Sequence, residues 1–385
     1  MSLSTEKESI SSFTTKKINS TTFVIREDDA YGEHPFIYVK LHPLAPVIII
    51  SDTGCDEPSE KYKHARYTHL RPYLETHPVK SNNNQPLNPS GKLQYLILLT
   101  HCHYDHLGGI AQFLESGSTT EIIASAAGRD FLQTDLGTHG LFDAIGKPIP
   151  FFQITHWAQA FERLHWPLMT SQAHLTHTAG GHHDPVDLGI TIIPTPGHTP
   201  DEMAWYDHDE MHLYVGDSMY PEGPEDGMPI LFPSEGGNLI EYGFSMQKLQ
   251  FLVRGENGRA VITSTTINNN NNNNNNNVND DDDDEDFVQI PRRVKLAAGH
   301  QTHSEDAEEF FERVGTLWRG ILQGEIPVVK KKFPDAGEEG EEVWRWRGND
   351  DAISLEAPKR MMEDARRFFL YRGSDVLGDK GGSWL

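Results

Sequence analysis

Cysteine is nearly absent from this chain of 385 residues. Only Cys55 and Cys102 occur, so no disulfide framework holds the fold and a reducing, cytoplasmic setting is expected. Long apolar runs are missing as well. The longest, around Val47 to Ile50 and Leu93 to Leu99, have the length of strands rather than of membrane spans, and the polar start Met-Ser-Leu-Ser-Thr-Glu-Lys has no secretory-signal core. Basic residues are scarce: 33 Lys and Arg stand against 57 Asp and Glu, a net charge of −24. A nucleic-acid partner needs a basic stripe that releases counterions, and the cluster Lys330 to Lys332 is too short to make one. No nucleic acid and no membrane are therefore expected as partners, and the acidic surplus serves solubility.

What is present is a chain long enough and, at 37% hydrophobic residues, apolar enough to bury a substantial core. Its most informative stretch runs from Thr100 to Gly109, Thr-His-Cys-His-Tyr-Asp-His-Leu-Gly-Gly. In an extended segment leaving a strand, alternate side chains face one way, so His101 and His103 can hold one ion together. Asp105 and His106 follow directly and point toward a second ion. Imidazole and carboxylate are the ligands that zinc, iron and manganese accept while keeping a position open for water.

The pattern His-x-His-x-Asp-His, with Gly108-Gly109 after it, closely resembles the metallo-β-lactamase superfamily. Further motifs resemble that family in the family's order, from about residue 20 to about residue 325. Asp52, in Ile-Ile-Ile-Ser-Asp-Thr-Gly, is similar to the buried acid that supports the metal loop. His198, in Thr-Pro-Gly-His-Thr-Pro, resembles the third histidine of the first ion; Asp217, in Tyr-Val-Gly-Asp-Ser, the carboxylate shared by both ions; and His300, in Leu-Ala-Ala-Gly-His, the last ligand of the second. The resemblance implies an αββα sandwich of two mixed sheets covered by helices, with two Zn²⁺ ions held at one edge, iron or manganese being the alternatives.

Several residues keep two readings. His303 rivals His300, three residues on. Tyr220, three residues after Asp217, sits where similar lactonases place a phenol against the developing oxyanion, or else it packs beside Met219. Cys55 and Cys102 flank the motifs either as ligand or redox groups or as small buried side chains. His174, His177, His182 and His183 form a second cluster with no strand context, read as loop.

Strands are expected at Thr21 to Arg26, Pro35 to His42, Pro46 to Ser51, Glu121 to Ala124, Gly189 to Ile193, Met203 to Tyr206 and His212 to Val215, and helices at His64 to Thr76, Gly108 to Glu115, Ala126 to Gln133, Leu239 to Val253, Glu305 to Leu322 and Pro358 to Tyr371. Residues 1–20 read as a flexible N-terminus and 21–325 as the metal-binding domain. Within that domain 134–187 is a candidate lid. The Asn- and Asp-rich stretch 264–290, with its run Asn268 to Asn277, is a disordered loop splitting a strand pair at Ala260 to Thr263 and Arg293 to Ala297. Residues 326–385 read as a C-terminal extension with one helix.

The function implied is a zinc-dependent hydrolase in which a hydroxide bridging two ions, oriented by Asp105 and Asp217, attacks an ester, lactone or thioester of a small molecule, with Asp105 and Tyr220 as catalytic groups. A β-lactam substrate fits less well, because classical β-lactamases carry cysteine where this chain has Asp217. The alternatives are a mononuclear iron dioxygenase using His101, His198 and Asp217, and a non-catalytic metal-binding interaction protein.

Overall fold

A computed structural model describes residues 10–114, 120–168, 184–222, 227–274, 291–332, 340–348 and 353–371, backbone only over 263–274 and at 371. The first half of the chain builds a seven-stranded sheet in sequence order: β1 (Phe13–Lys17), β2 (Thr22–Glu27), β3 (Phe36–Leu41), β4 (Val47–Ser51), β5 (Gln94–Leu98), β6 (Thr120–Ser125) and β7 (His156–Ala158). Strands β1 to β4 pair antiparallel and β4 to β7 parallel. The unbroken Val-Ile-Ile-Ile-Ser of β4 follows from this position, since a central parallel strand is buried on both faces.

The chain then supplies β8 (Arg163–Trp166), β9 (Val186–Pro194), β10 (Met203–Asp207) and β11 (His212–Tyr214), leaves for a two-residue strand β12 (Ile230–Leu231), and returns with β13 (Lys295–Ala297) and β14 (Glu305–Asp306). The second sheet has the order β14-β13-β11-β10-β9-β8. The third joins β12 to the C-terminal strands β15 (Val328–Lys332), β16 (Val343–Arg347) and β17 (Ser354–Pro358) in the order β12-β17-β16-β15.

Three apolar layers result. Val47, Ile49, Leu96 and Leu98 of the first sheet meet Leu188, Ile190, Met203 and Trp205 of the second. The alternate residues Ile48, Ile50, Tyr95 and Ile97 face α1 (Leu70–Thr76) on the outside. On the other outer face Ala204, Tyr206 and Leu213 pack with α6 (Leu239–Asn274), α7 (Ala307–Gln323) and α8 (Lys359–Arg366). Short helices α2 (Tyr104–Leu107), α3 (Arg129–Gln133), α4 (Leu136–His139) and α5 (Phe142–Ile145) add Leu107, Leu132, Leu136 and Phe142 to the same outer layer as α1. This is the expected αββα sandwich, with a third sheet added. No helix among the described residues is long and apolar enough to cross a membrane.

Several element readings need correction. Residues 1–20 are not wholly a flexible arm, because Phe13 is buried and β1 pairs with β2 through five residue pairs. Ala260 to Thr263 is no strand: it continues α6, since both edges of β13 are already taken, by β11 and β14. Val261 and Ile262 point largely to solvent there. The supposed loop 264–290 is helical to Asn274, and 275–290 lie outside the described residues. Residues 134–187 are no single lid, for β7 and β8 close the edges of the two sheets; residues 169–183, with His174, His177, His182 and His183, lie outside the described residues. The C-terminal extension carries three strands besides its helix. Trp346, Leu355, Ala357 and Met362 share one core with Val215, Met219 and Leu239, so the extension packs as part of the domain.

Candidate metal centre

The strands that carry ligands end at one edge of the sandwich. Asp52 follows β4, His101 and His103 follow β5, His198 follows β9, Asp217 follows β11 and His300 follows β13. The turn into α2 begins directly after His103 and rotates Asp105 and His106 away from His101 and His103. Two groups of ligand atoms form. His101, His103 and His198 make one, and Asp105, His106, Asp217 and His300 the other.

In the first group His101 Nε2 and His198 Nε2 each lie 3.0 Å from His103 Nδ1. Two outer partners set the tautomers of His198 and His101. His198 Nδ1 donates to the Leu231 carbonyl at 2.7 Å. His101 Nδ1 lies 3.1 Å from the Thr100 hydroxyl, whose own proton goes to Asp52 Oδ2 at 2.8 Å. The Nε2 lone pairs of His101 and His198 therefore both face His103 Nδ1. Burial holds His101 well below the usual histidine range, His103 down at about 3 and His198 below its ordinary value, so all three are neutral near pH 7. A proton on His103 Nδ1 can serve only one of the two Nε2 lone pairs well at a time, whereas a cation at the centre would meet all three nitrogens. Bonds of about 2.0–2.1 Å in a tetrahedron put nitrogens about 3.4 Å apart, close to the spacing here.

The second group is charged. His106 Nε2 lies 3.3 Å from Asp105 Oδ2 and 3.4 Å from Asp217 Oδ1, and His300 Nε2 lies 3.3 Å from both Asp105 Oδ2 and Asp217 Oδ2. Burial alone would lower the two histidines, but the carboxylates outweigh it, lifting His106 well above the ordinary value and His300 to about 10. The same contacts hold Asp105 and Asp217 well below the carboxylate range against the opposing pull of burial. Asp217 also reaches His198 Nε2 at 4.0 Å and so touches both groups. His106 Nε2 and Asp217 Oδ1 are both buried without a hydrogen-bond partner, which fits atoms that would face an ion.

The supports explain why these side chains stand where they do. Asp52, in the left-handed region at φ 65°, turns its carboxylate back: Oδ1 accepts the Thr100 N–H at 2.8 Å and Oδ2 takes His106 Nδ1 at 3.0 Å. Through Thr100 and His106 it orients one ligand in each group. His300 Nδ1 donates to the Glu33 carbonyl at 2.9 Å. Gly299 has to be glycine, since a Cβ there would sit 2.2 Å from Asp217 Oδ1 and 2.7 Å from His106 Cε1.

Other expectations fare unevenly. His300 is the histidine in the cluster; His303 lies outside it, beside Lys16 and Ser304. Cys102 turns its thiol to the His139 carbonyl, and both cysteines are buried free thiols outside the two ligand groups. The Tyr220 hydroxyl donates to the Pro229 carbonyl at 2.9 Å, and its ring meets His300 edge-on, the packing arrangement of the two readings. A phenol has one proton to give, and here a backbone carbonyl takes it. Glu202 escaped the sequence reading altogether. Its buried carboxylate accepts the Asp217 N–H at 2.8 Å, and the Pro-Asp-Glu that follows the His198 motif was its only trace.

A sequence profile described as metallo-beta-lactamase superfamily matches residues 92–263, the stretch that carries His101 through Asp217. The chain belongs to this superfamily. It is also 33% identical over 369 residues to an Aspergillus versicolor protein named "Putative transcription factor avaE", covering 94% of this chain and 90% of that one. Among solved structures, a metallo-beta-lactamase from Pontibacter korlensis aligns at 13% identity and a TM-score of 0.42 over 80% of this chain and 99% of that one. The di-iron-bound form of TTHA1623 aligns at 16% identity and 0.38 over 72% and 92%.

Proposed function

We propose that this chain is a hydrolase with two divalent ions, zinc in the first instance, that cleaves an ester, lactone or thioester of a small molecule. One observation carries the reading: two complete ligand groups, one of neutral imidazoles and one of carboxylates with imidazoles, meet at Asp217. Ions bound there supply Lewis acidity and lower the pKa of water from about 15.7 to about 7. The chain's own residues do the rest. His101, His103 and His198 would hold the first ion, and Asp105, His106, Asp217 and His300 the second. Asp105 and Asp217 also act as acceptors that orient a water for attack on a carbonyl carbon. Their carboxylates stay ionised, so they can take a hydrogen bond and cannot serve as proton donors near neutral pH.

His103, Asp105 and Asp217 keep 5%, 6% and 5% of their surface exposed while the other four ligands keep 2% or less. A small molecule would approach on the side of these three residues, where Tyr104, next to His103 and Asp105 in the chain, donates to Glu33 Oε1 at 2.7 Å.

A gene-regulatory role would follow the name of the Aspergillus relative, but a net charge of −24 supports no nucleic-acid contact, and seven assembled ligands support chemistry. A single-iron dioxygenase would leave the second group without a purpose. The deciding experiment is metal quantification on freshly purified protein joined to a panel of esters, lactones and thioesters. Two ions per chain with turnover on one of these classes is the expected result. Turnover on none of them by the metal-loaded protein would sink the proposal.

A further inference from the structure

The loop between β11 and β12 leaves the metal centre at Asp217 and comes back to it at Leu231, whose carbonyl accepts the His198 Nδ1 proton at 2.7 Å. What holds that carbonyl in place is the C-terminal sheet. Strand β12 has two residues and lies at the sheet's edge, so its position comes from β17, with Leu231 opposite Glu356 and the Phe232 N–H on the Glu356 carbonyl at 2.9 Å. The loop is gripped a second time, from β16. Arg345 Nη2 donates to Glu222 Oε1 at 2.8 Å and also to the Gly227 carbonyl, which lies farther along the loop. Arg347 Nε donates to Glu222 Oε2 at 2.9 Å. Glu222 is buried to 3% side-chain exposure and Arg345 to 12%. A buried carboxylate held by two guanidinium groups is a rigid anchor, because the planar forks fix direction as well as distance.

We propose that the C-terminal sheet is a working part of the metal centre: Arg345 and Glu222 are positioning residues that fix the Leu231 carbonyl and, through it, the His198 ring toward the first ion. The chain of contacts is continuous. Arg345 holds Glu222 and Gly227 and stands opposite Glu356 of β17, Glu356 stands opposite Leu231 of β12, and Leu231 sets the tautomer and direction of His198. Partners of this outer kind are worth about 10–100-fold in metal affinity elsewhere. The inference rests on the two-ion reading of the site, and its test needs no substrate.

The experiment compares the full chain with Arg345→Met and Arg345→Lys, titrating metal-depleted protein with zinc against a chromophoric chelator and recording visible spectra of the cobalt(II)-loaded forms. Leu74→Ala, which opens a cavity in the opposite outer core, serves as a control for general destabilisation. Arg345→Met is expected to weaken one of the two ions by about 10–100-fold and to change the cobalt spectrum. Arg345→Lys, which keeps a charge for Glu222 but not the fork, recovers part of the loss, and Leu74→Ala binds both ions like the unaltered protein. Should Arg345→Met not fold, Glu222→Gln, nearly equal in size, is read in the same way. Equal affinity for both ions in the unaltered and altered proteins overturns the inference, as does an equal loss in Leu74→Ala. An unaltered protein that takes up no zinc or cobalt removes the two-ion reading itself, an outcome seen before any variant is made.

Discussion

The two ligand groups meet at Asp217 yet are built on opposite electrostatic terms. The first consists of three neutral imidazoles joined only through His103 Nδ1, which cannot satisfy both neighbouring nitrogens fully at once. The second consists of two carboxylates and two imidazoles that satisfy each other as ion pairs. Protein contacts alone thus hold the second group together, whereas the first depends on its outer supports, Thr100 and the Leu231 carbonyl. A site made of two such halves should lose its ions in a definite way when either half is disturbed.

The largest effect is expected at the centre of the first group. His103→Ala removes the nitrogen to which both other imidazoles point, so the first ion is lost and hydrolysis falls by more than the ~10–100-fold that an outer partner is worth. Turnover and metal content measured together decide this. Full activity in that variant would falsify the ligand assignment.

Asp52→Asn tests what the two groups share. The amide keeps the volume but gives up the charge opposite His106 Nδ1 and the full acceptor set for Thr100, so both ions should weaken, by about 10–100-fold each. A loss confined to the second ion would mean that the relay through the Thr100 hydroxyl to His101 carries little.

The charge difference itself predicts a pH effect. In the metal-free protein His300, lifted to about 10, and His106, raised like it, hold protons at pH 7, and an entering ion has to displace them. Affinity at the second group should therefore rise with pH, by up to about tenfold per unit for each proton displaced, until pH passes about 10. In the metal-free protein the His300 pairs add stability that is complete below the unfolded histidine value of about 6.5 and is lost as pH rises through about 10, and the His106 pairs act in the same direction. The first group should show a flat affinity from about pH 7 upward, because burial holds His103 down at about 3 and its two neighbours below the ordinary histidine value of about 6.5. Zinc titrations across this range with an indicator for released protons would separate the two; equal slopes would erase the distinction.

What could be read in the sequence followed from the same physics. The seven residues that come together in the two groups were legible because metal chemistry restricts residue type and strand ends restrict spacing, and the inner strands because a two-sided core demands runs such as Val-Ile-Ile-Ile. The supports were harder to read. Backbone carbonyls at Leu231 and Glu33 leave no mark on residue identity, and Glu202 looks like any acid at a strand start. The C-terminal sheet was hidden by its own composition: β15 is an exposed Lys-rich edge, and β16 alternates Trp with Arg, whose amphipathic side chains read as surface although Trp346 is buried and Arg345 turns to Glu222. At Ala260 to Thr263 β-branched residues suggested a strand, and the occupied edges of β13 decided otherwise.

The smallest effect is expected at Tyr220, where the sequence and the structure point in different directions. Its spacing from Asp217 suggested a donor to the oxyanion, but its proton is on the Pro229 carbonyl and its ring supports His300. Tyr220→Phe keeps the ring contact and loses one hydrogen bond, leaving a carbonyl unpaired at a cost of about 1–3 kcal/mol in stability. Metal content should not change, and turnover on the best substrate should stay within a few-fold, because a ring that still buttresses His300 preserves the second group. A fall of about a hundredfold or more in kcat with both ions retained would show instead that the hydroxyl leaves Pro229 to meet the transition state, for that is the loss expected on removing an oxyanion donor. Melting temperature, metal content and kcat measured on this one variant distinguish a packing tyrosine from a catalytic one.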